Sequence, residues 1–271
     1  MTQNTLRQQY RTDANLNARI DLHRRFSTNP YPWHRWAFDQ LALSEDAHVL
    51  ELGCGPADLW RENAERIPAG WDVTLTDFSE GMVASAQRNL AETGRTFTFK
   101  QADAQDLPFE ADTFDAVIAN HMLYHVPDRP RAFAEIRRVL KPGAVFYAAT
   151  NGEQNMMELW QLLTPYIPDC YIRSLAVAGG FVLENGAAQL VAAGFTGIVW
   201  RNRSDALEIT EVEPLMAYIQ SSNTLMDHAW TGAELAAVRA EVAARIAAKS
   251  AFHIGKIAGM FVAQEIYAKR Y

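Results

Sequence analysis

Cysteine, basic charge and long apolar runs are all scarce in this chain, and each scarcity removes a class of protein. Of 271 residues only two, Cys54 and Cys170, are cysteines. Two distant thiols make no disulfide framework, and no Cys/His spacing reads as a zinc site, so no metal is expected. Lysine and arginine number 25 against 32 aspartates and glutamates, a formal net charge of −7. Proteins that grip nucleic acid carry a basic stripe, because phosphate contacts dominate their affinity. The nearest cluster here, Arg137, Arg138 and Lys141, reads as a helix end, so no nucleic-acid partner is expected. The opening stretch, MTQNTLRQQYRTDANLNAR, is polar and lacks the apolar centre of a secretory signal. No apolar run reaches membrane-spanning length. The alanine-rich stretch after Thr231 is interrupted by Glu234, Arg239, Glu241, Arg245 and Lys249, which makes it an amphipathic helix. The expectation is a cytoplasmic protein with no membrane partner.

What is present is an ordinary globular composition, 49% hydrophobic and 21% charged. The length suits one α/β domain with embellishments. Aromatic residues crowd an early stretch, where Phe26, Tyr31, Trp33, Trp36 and Phe38 are divided into two helical pieces by Pro30 and Pro32. Strand and helix patterns then alternate, the signature of a parallel sheet. HVLELG, WDVTLTD, TFTFKQ, FDAVIAN and AVFYAAT read as five successive strands, with helices over 58–66, 80–92 and 130–140. Ser79 is a candidate N-cap, and Lys141-Pro142-Gly143 reads as a helix stop and turn. Over 151–185 the pattern loosens, which suggests an inserted helical lid. GFTGIVWRNR and FHIGKIAGMFVAQ read as two late strands. The expected organisation is a single domain over 1–271: a helical cap (1–43), a core (44–150), a lid (151–192) and C-terminal strands and helices (193–271).

The informative segment is Val49-Leu50-Glu51-Leu52-Gly53-Cys54-Gly55-Pro56-Ala57, a buried strand running into a glycine turn and then a helix. Glycine lets a backbone approach a ligand closely, and ligands of open α/β sheets bind beyond the carboxyl ends of the strands. Alone, such a turn is an ordinary strand-to-helix loop. The acids beyond it change its weight. Asp77 ends the second strand, where a carboxylate can accept from both ribose hydroxyls. Asp103, after the third strand, can accept from an adenine amino group while the Ala104 N–H faces a ring nitrogen. A dinucleotide site prefers a third glycine, where a pyrophosphate meets the helix N-terminus. Here that position is Asp58, which repels a diphosphate. Glu51 suits a cationic ligand instead.

These residues resemble the class I methyltransferases that use S-adenosylmethionine (SAM), and more closely their small-molecule branch that includes the ubiquinone/menaquinone C-methyltransferases. VLELGCG, LTDFSEGM, ADAQDLPF, FDAVIANHMLYHV and EIRRVLKPGA fall in that family's order and spacing, covering roughly 47–150. The resemblance implies a Rossmann-like, doubly wound, seven-stranded and mostly parallel sheet with the last strand antiparallel. It implies SAM as cofactor and S-adenosylhomocysteine as product. Carried across by position, Glu51, Gly53, Cys54 and Gly55 would hold the methionine end, and Asp77 the ribose. Phe78 and Met82 would flank the adenine, Asp103 and Ala104 would read its edge, and Asn120 and His121 would sit beside the sulfonium. Pro56-Ala57 stands where Thr-Gly is usual, and Gly143-Ala144 where Gly-Gly is usual. The Asn-Pro-Pro-Tyr type of motif found in amino-methylating nucleic-acid enzymes is absent after the fourth strand.

Methyl transfer needs alignment of the acceptor and exclusion of water, and an acidic acceptor also needs a general base. His121 is the first candidate, because imidazole titrates near neutral pH. His125 reads more as a structural residue, and Tyr124 either orients the acceptor or packs. The aromatic N-terminal segment has two readings. It is a cover for the sheet edge, or a lid that lines an acceptor pocket with Trp33 and Trp36 and brings Tyr10 and Arg19 to the cofactor. Met156, Met157 and Trp160 could supply the opposite wall or simply form helix core. An exchanged N-terminal arm would make a homodimer. The alternatives to a small-molecule methyltransferase are a catalytically silent protein of the same fold that binds SAM or its product, an RNA or protein methyltransferase, and a nicotinamide oxidoreductase.

Overall fold

The computed structural model describes residues 13–170, 180–221 and 228–265. The chain divides into two compact units. One comprises residues 31–151, 181–202 and 259–271, and the other residues 1–30, 152–180 and 203–258.

The first unit is built on five strands whose central members are apolar and buried almost throughout, as strands covered on both faces must be, while the edge strand is polar and largely exposed. They are β1 (His48–Leu52), β2 (Asp72–Asp77), β3 (Thr98–Gln101), β4 (Phe114–Asn120) and β5 (Leu140–Asn151). In β4, Ala116, Val117, Ile118 and Ala119 are all fully buried. The seven-stranded sheet has the order β3-β2-β1-β4-β5-β7-β6, completed by β6 (Phe195–Ile209) and β7 (Phe252–Glu265). Its strands are parallel except the last, which makes it a Rossmann-like, doubly wound sheet. Both β6 and β7 contribute residues to both units. The register decides where each strand ends. Leu52 pairs with Thr76 on one side and Ala119 on the other, Asp77 pairs with Gln101, and Asn120 pairs with Ala149. Strands β1 to β4 therefore end level, and the residues after them emerge along one edge.

Helices α1 (Asp13–Phe26), α2 (Trp33–Asp39), α3 (Asp58–Arg61), α4 (Glu80–Leu90) and α5 (Arg129–Val139) come next in chain order. Three local expectations need correction. The helix expected over 58–66 stops at Arg61 and resumes as a 3-10 turn, Ala64–Arg66. Ser79 occupies the N-cap of α4 through its backbone, but its side chain makes no capping hydrogen bond. Lys141-Pro142-Gly143 is no turn: β5 begins at Leu140, directly after α5. The irregularity is absorbed as a register shift between Phe114 and Ala116, with Gly143 at φ 80°. Pro142 is exposed there, where a missing N–H costs little.

The region expected to be a lid is shared between the units. Helix α7 (Leu183–Ala192) belongs with the sheet. Its entry is tied down by the buried Thr150 hydroxyl donating to the Phe181 carbonyl at 2.6 Å. The Phe181 ring packs against Phe133 and Phe261. Residues 152–170, with α6 (Met157–Leu163), belong to the other unit, and so does α1. There α8 (Val212–Ser221) packs against α1 and against α9 (Gly232–Lys249). Leu22, Leu159, Leu163, Leu215, Val238 and Ile254 are fully buried in this core. Asp205 is buried in the same unit, where Ser27, Lys256 and Arg203 all donate to its carboxylate. Burial alone would raise that carboxyl, but Lys256, Ser27 and Arg203 outweigh it and hold it well below the usual carboxylate range. Among the described residues, no helix is long and apolar enough to cross a membrane.

Candidate functional site

The level strand ends bring Glu51 of β1, Asp77 of β2, Asp103 after β3, and Asn120 and His121 of β4 to one edge of the sheet. Between them runs the glycine turn. Gly53 and Gly55 both take positive φ, 63° and 54°. They do so for different reasons. A Cβ on Gly53 would lie 2.7 Å from the Met122 Cβ, whereas one on Gly55 would meet nothing within 4 Å. Gly53 thus serves packing, and Gly55 leaves open space above the turn. Cys54 anchors the turn through its N–H, which donates to the Thr76 carbonyl at 2.9 Å. Its thiol is buried and is pushed well up by that burial and by the nearby Glu51 and Asp77.

The two glycines should therefore respond differently to substitution. Gly53→Ala is expected to destabilise the fold by about 2–4 kcal/mol, from left-handed strain plus the Met122 clash. Gly55→Ala incurs only the strain, about 1–2 kcal/mol, and fills the open space. Thermal melts are expected to separate the two variants, with Gly53→Ala the lower. A Gly55→Ala variant that melts below Gly53→Ala would contradict the packing argument.

Glu51 is 2% exposed. Its Oε2 accepts the Trp60 indole N–H at 2.6 Å. Burial pushes this carboxyl up to about 8; the Trp60 hydrogen bond opposes the rise, and Asp77 and Asp58 add to it. The Asp77 carboxylate is held at both ends, with Oδ2 accepting from the Gly55 N–H at 3.0 Å and Oδ1 from the Ser79 N–H at 2.8 Å. Burial raises it, against those two hydrogen bonds. Asp58, at the start of α3, is paired with Arg61 at 2.6 Å. Asp103 accepts from the Gln105 N–H at 2.9 Å and from the Gln105 side-chain amide. Ala104 beside it is buried. The Phe78 carbonyl accepts from the Gln101 amide at 3.0 Å, and Met82 is 2% exposed within α4.

At the tip of β4, the Asn120 Oδ1 accepts the Trp33 indole N–H at 3.1 Å. The Trp33 ring lies 4.7 Å from the His121 ring and 5.0 Å from that of Trp36. His121 takes φ 58°, a left-handed conformation fixed by its N–H donating to the Ala149 carbonyl at 3.1 Å. Tyr124 and His125 lie just beyond, in a 3-10 turn, Leu123–His125, with their rings 4.5 Å apart. Met156, Met157 and Trp160 belong to the other unit, where Met156 is buried and the Trp160 indole donates to the Asn155 carbonyl. Tyr10 and the Arg19 side chain lie outside the described residues.

Sequence reasoning misses Trp60, Met122 and Gln105. Each acts on a recognised residue; Met122 and Gln105 lie inside quoted motifs without an assigned role, and Trp60 lies outside them. The one available signal is Glu51, since a buried acid needs a donor.

The residues fit a nucleoside that carries positive charge and no phosphate. Gly55 leaves room for close approach, the turn is lined by acids, and Asp58 stands where a pyrophosphate would lie. Among the described residues no group of three or more His, Cys, Asp or Glu is placed to hold a metal.

Residues 49–143 match the family described as methyltransferase domain. Over this segment the chain resembles the class I SAM-dependent methyltransferases. Within that class it is similar to the demethylmenaquinone methyltransferase of Lactiplantibacillus plantarum, 36% identical over 114 residues, which are 41% of this chain and 48% of the relative. It is also similar to the ubiquinone/menaquinone biosynthesis C-methyltransferase UbiE of Geobacter sulfurreducens, 32% identical over 160 residues, 57% of this chain and 60% of the relative. The chain thus spans about half the length of the curated relatives it matches. In fold, it resembles the Haemonchus contortus phosphoethanolamine N-methyltransferase 2 solved with S-adenosyl-L-methionine. The TM-score is 0.58 at 18% identity, covering 94% of this chain and 57% of that one.

Proposed function

We propose that this chain transfers a methyl group from SAM to a small, ring-containing acceptor. The observation that carries the reading is the row of acids at the level ends of β1 to β3, around a glycine turn with open space at Gly55. In this reading Glu51, Gly53, Cys54 and Gly55 hold the methionine end, and Asp77 takes the ribose hydroxyls. Phe78 and Met82 flank the adenine, and Asp103 and Ala104 read its edge. When bound, SAM supplies an activated methyl carbon. Asn120, oriented by Trp33, lines the place where that carbon would lie. The rings of Trp33, Trp36 and His121, tilted 39° and 49° to one another, give the acceptor an aromatic wall that excludes water. Relatives named for quinone biosynthesis support a ring-containing acceptor. His121 is the proposed base, with Tyr124 and His125 as its structural neighbours. The acidic net charge supports a small acceptor over a nucleic acid, and the same reading places the reaction in the cytoplasm.

Calorimetric titration tests the reading first. SAM and S-adenosylhomocysteine are expected to bind with micromolar affinity, and NAD to give no binding heat. Release of S-adenosylhomocysteine in the presence of ring-containing acceptors then tests turnover. Tight NAD binding with no uptake of SAM would sink the proposal. Uptake without turnover on any acceptor would favour the silent binding protein.

A further inference from the structure

Trp60 is fully buried, and its indole plane is fixed by three neighbouring rings: Phe38 at 6.4 Å, Trp71 at 6.5 Å and Phe97 at 6.2 Å. The N–H of that indole is therefore aimed rather than free to wander, and it is aimed at Glu51 Oε2. Among the described residues it is the only donor to the Glu51 side chain. The charged surroundings of Glu51 are otherwise unfavourable to a carboxylate. Asp77 approaches from β2 and Asp58 from α3, and the Arg61 guanidinium is already committed to Asp58. Cys54 on the turn is held as the neutral thiol. On the flanking strands the register partners of Glu51 are Leu75 and Ile118, which carry no charge. A carboxylate this dry, with acids for neighbours, keeps its proton until an opposite charge arrives. An indole N–H can only donate, so it stabilises the ionised carboxylate more than the acid.

We propose that Trp60 is a positioning residue that acts through Glu51, presetting this buried carboxyl to release its proton when an α-ammonium group docks at the glycine turn. The step balances simply. The Glu51 O–H bond breaks, the proton leaves to solvent, and the carboxylate pairs with the incoming ammonium. This rests on the reading of the site as one for an amino-acid nucleoside, and it adds that binding and proton release are one event. Because the ligand-free carboxyl sits at about 8, it is protonated at neutral pH. Ligand affinity then rises with pH up to that value.

The test is calorimetry of S-adenosylhomocysteine binding to the full chain in buffers of different ionisation enthalpy. The slope of binding enthalpy against buffer enthalpy counts protons. Wild type is expected to release about 0.9 proton at pH 7, and its affinity to rise several-fold from pH 6 to pH 7, where the ligand amine stays charged. Glu51→Gln is expected to release none, with an affinity flat over that range. Trp60→Phe keeps most of the ring but removes the donor. It is expected to bind about tenfold more weakly and to release less than half as many protons as wild type. A residue that merely packs would not change that count. Should Trp60→Phe fail to fold, the wild-type count and Glu51→Gln still decide. Binding by wild type with less than about 0.2 proton released, or a Trp60→Phe count and pH slope equal to wild type, overturns the inference. No binding of S-adenosylhomocysteine at any pH overturns the ligand reading itself, and this inference with it.

Discussion

Replacing Asp77 by alanine is expected to weaken S-adenosylhomocysteine binding by on the order of 100- to 1,000-fold, since hydrogen bonds to a charged group contribute about 1.5–3 kcal/mol each. The expectation comes from how the carboxylate is held. Each oxygen already accepts one backbone N–H, from Gly55 and from Ser79. Those bonds fix the plane of the group and leave a lone pair on each oxygen for a ribose hydroxyl. Removing the side chain deletes both proposed ribose contacts and leaves the two N–H groups without their acceptor. Asparagine is expected to do little better. It keeps one accepting oxygen but turns an NH2 group against a backbone N–H. Asp103 is a weaker point of attack, because Gln105 already donates to its carboxylate through both backbone and side chain. Calorimetry on Asp77→Ala, Asp77→Asn and Asp103→Asn checks the ranking. An Asp77→Ala variant within about fivefold of wild type (roughly 1 kcal/mol) would remove the ribose assignment.

The acids at the strand ends are legible in the sequence because strand and helix patterns alternate there, and a parallel register levels those ends. FDAVIAN coincides with β4, residue for residue. The division into units is hidden for a related reason. The apolar pattern of β6 carries only as far as Arg203, since Arg203, Asp205 and Glu208 interrupt it. In the folded chain Arg203, Lys256 and Ser27 all pair with the buried Asp205 carboxylate, and β6 continues to Ile209. Charge that pairs internally looks like a loop in a one-dimensional pattern. The supporting partners are hidden by separation along the chain. Trp60 lies 9 residues from Glu51, and Trp33 lies 87 from Asn120. No periodicity links such positions, so the acids stand out and the groups that tune them do not.

His121→Asn is expected to leave S-adenosylhomocysteine binding within about threefold of wild type (under roughly 1 kcal/mol), while methyl transfer falls by on the order of 100- to 10,000-fold, the usual contribution of a general base. Asparagine is chosen for a backbone reason. His121 sits at φ 58°, and asparagine tolerates the left-handed region where most residues are strained. The backbone bond from residue 121 to the Ala149 carbonyl can then survive the exchange. What disappears is the imidazole and its face against Trp33. A base and a packing residue part company at this point. Loss of a base lowers turnover with KM for the acceptor little changed. Loss of packing alone would raise that KM and leave turnover largely in place. The control is Trp33→Phe, which keeps a ring beside His121 but frees the Asn120 amide. It is expected to cost far less turnover than His121→Asn. Equal losses of turnover in the two variants, with KM raised in both, would make the β4 tip an aromatic wall for the acceptor and remove the base assignment of His121.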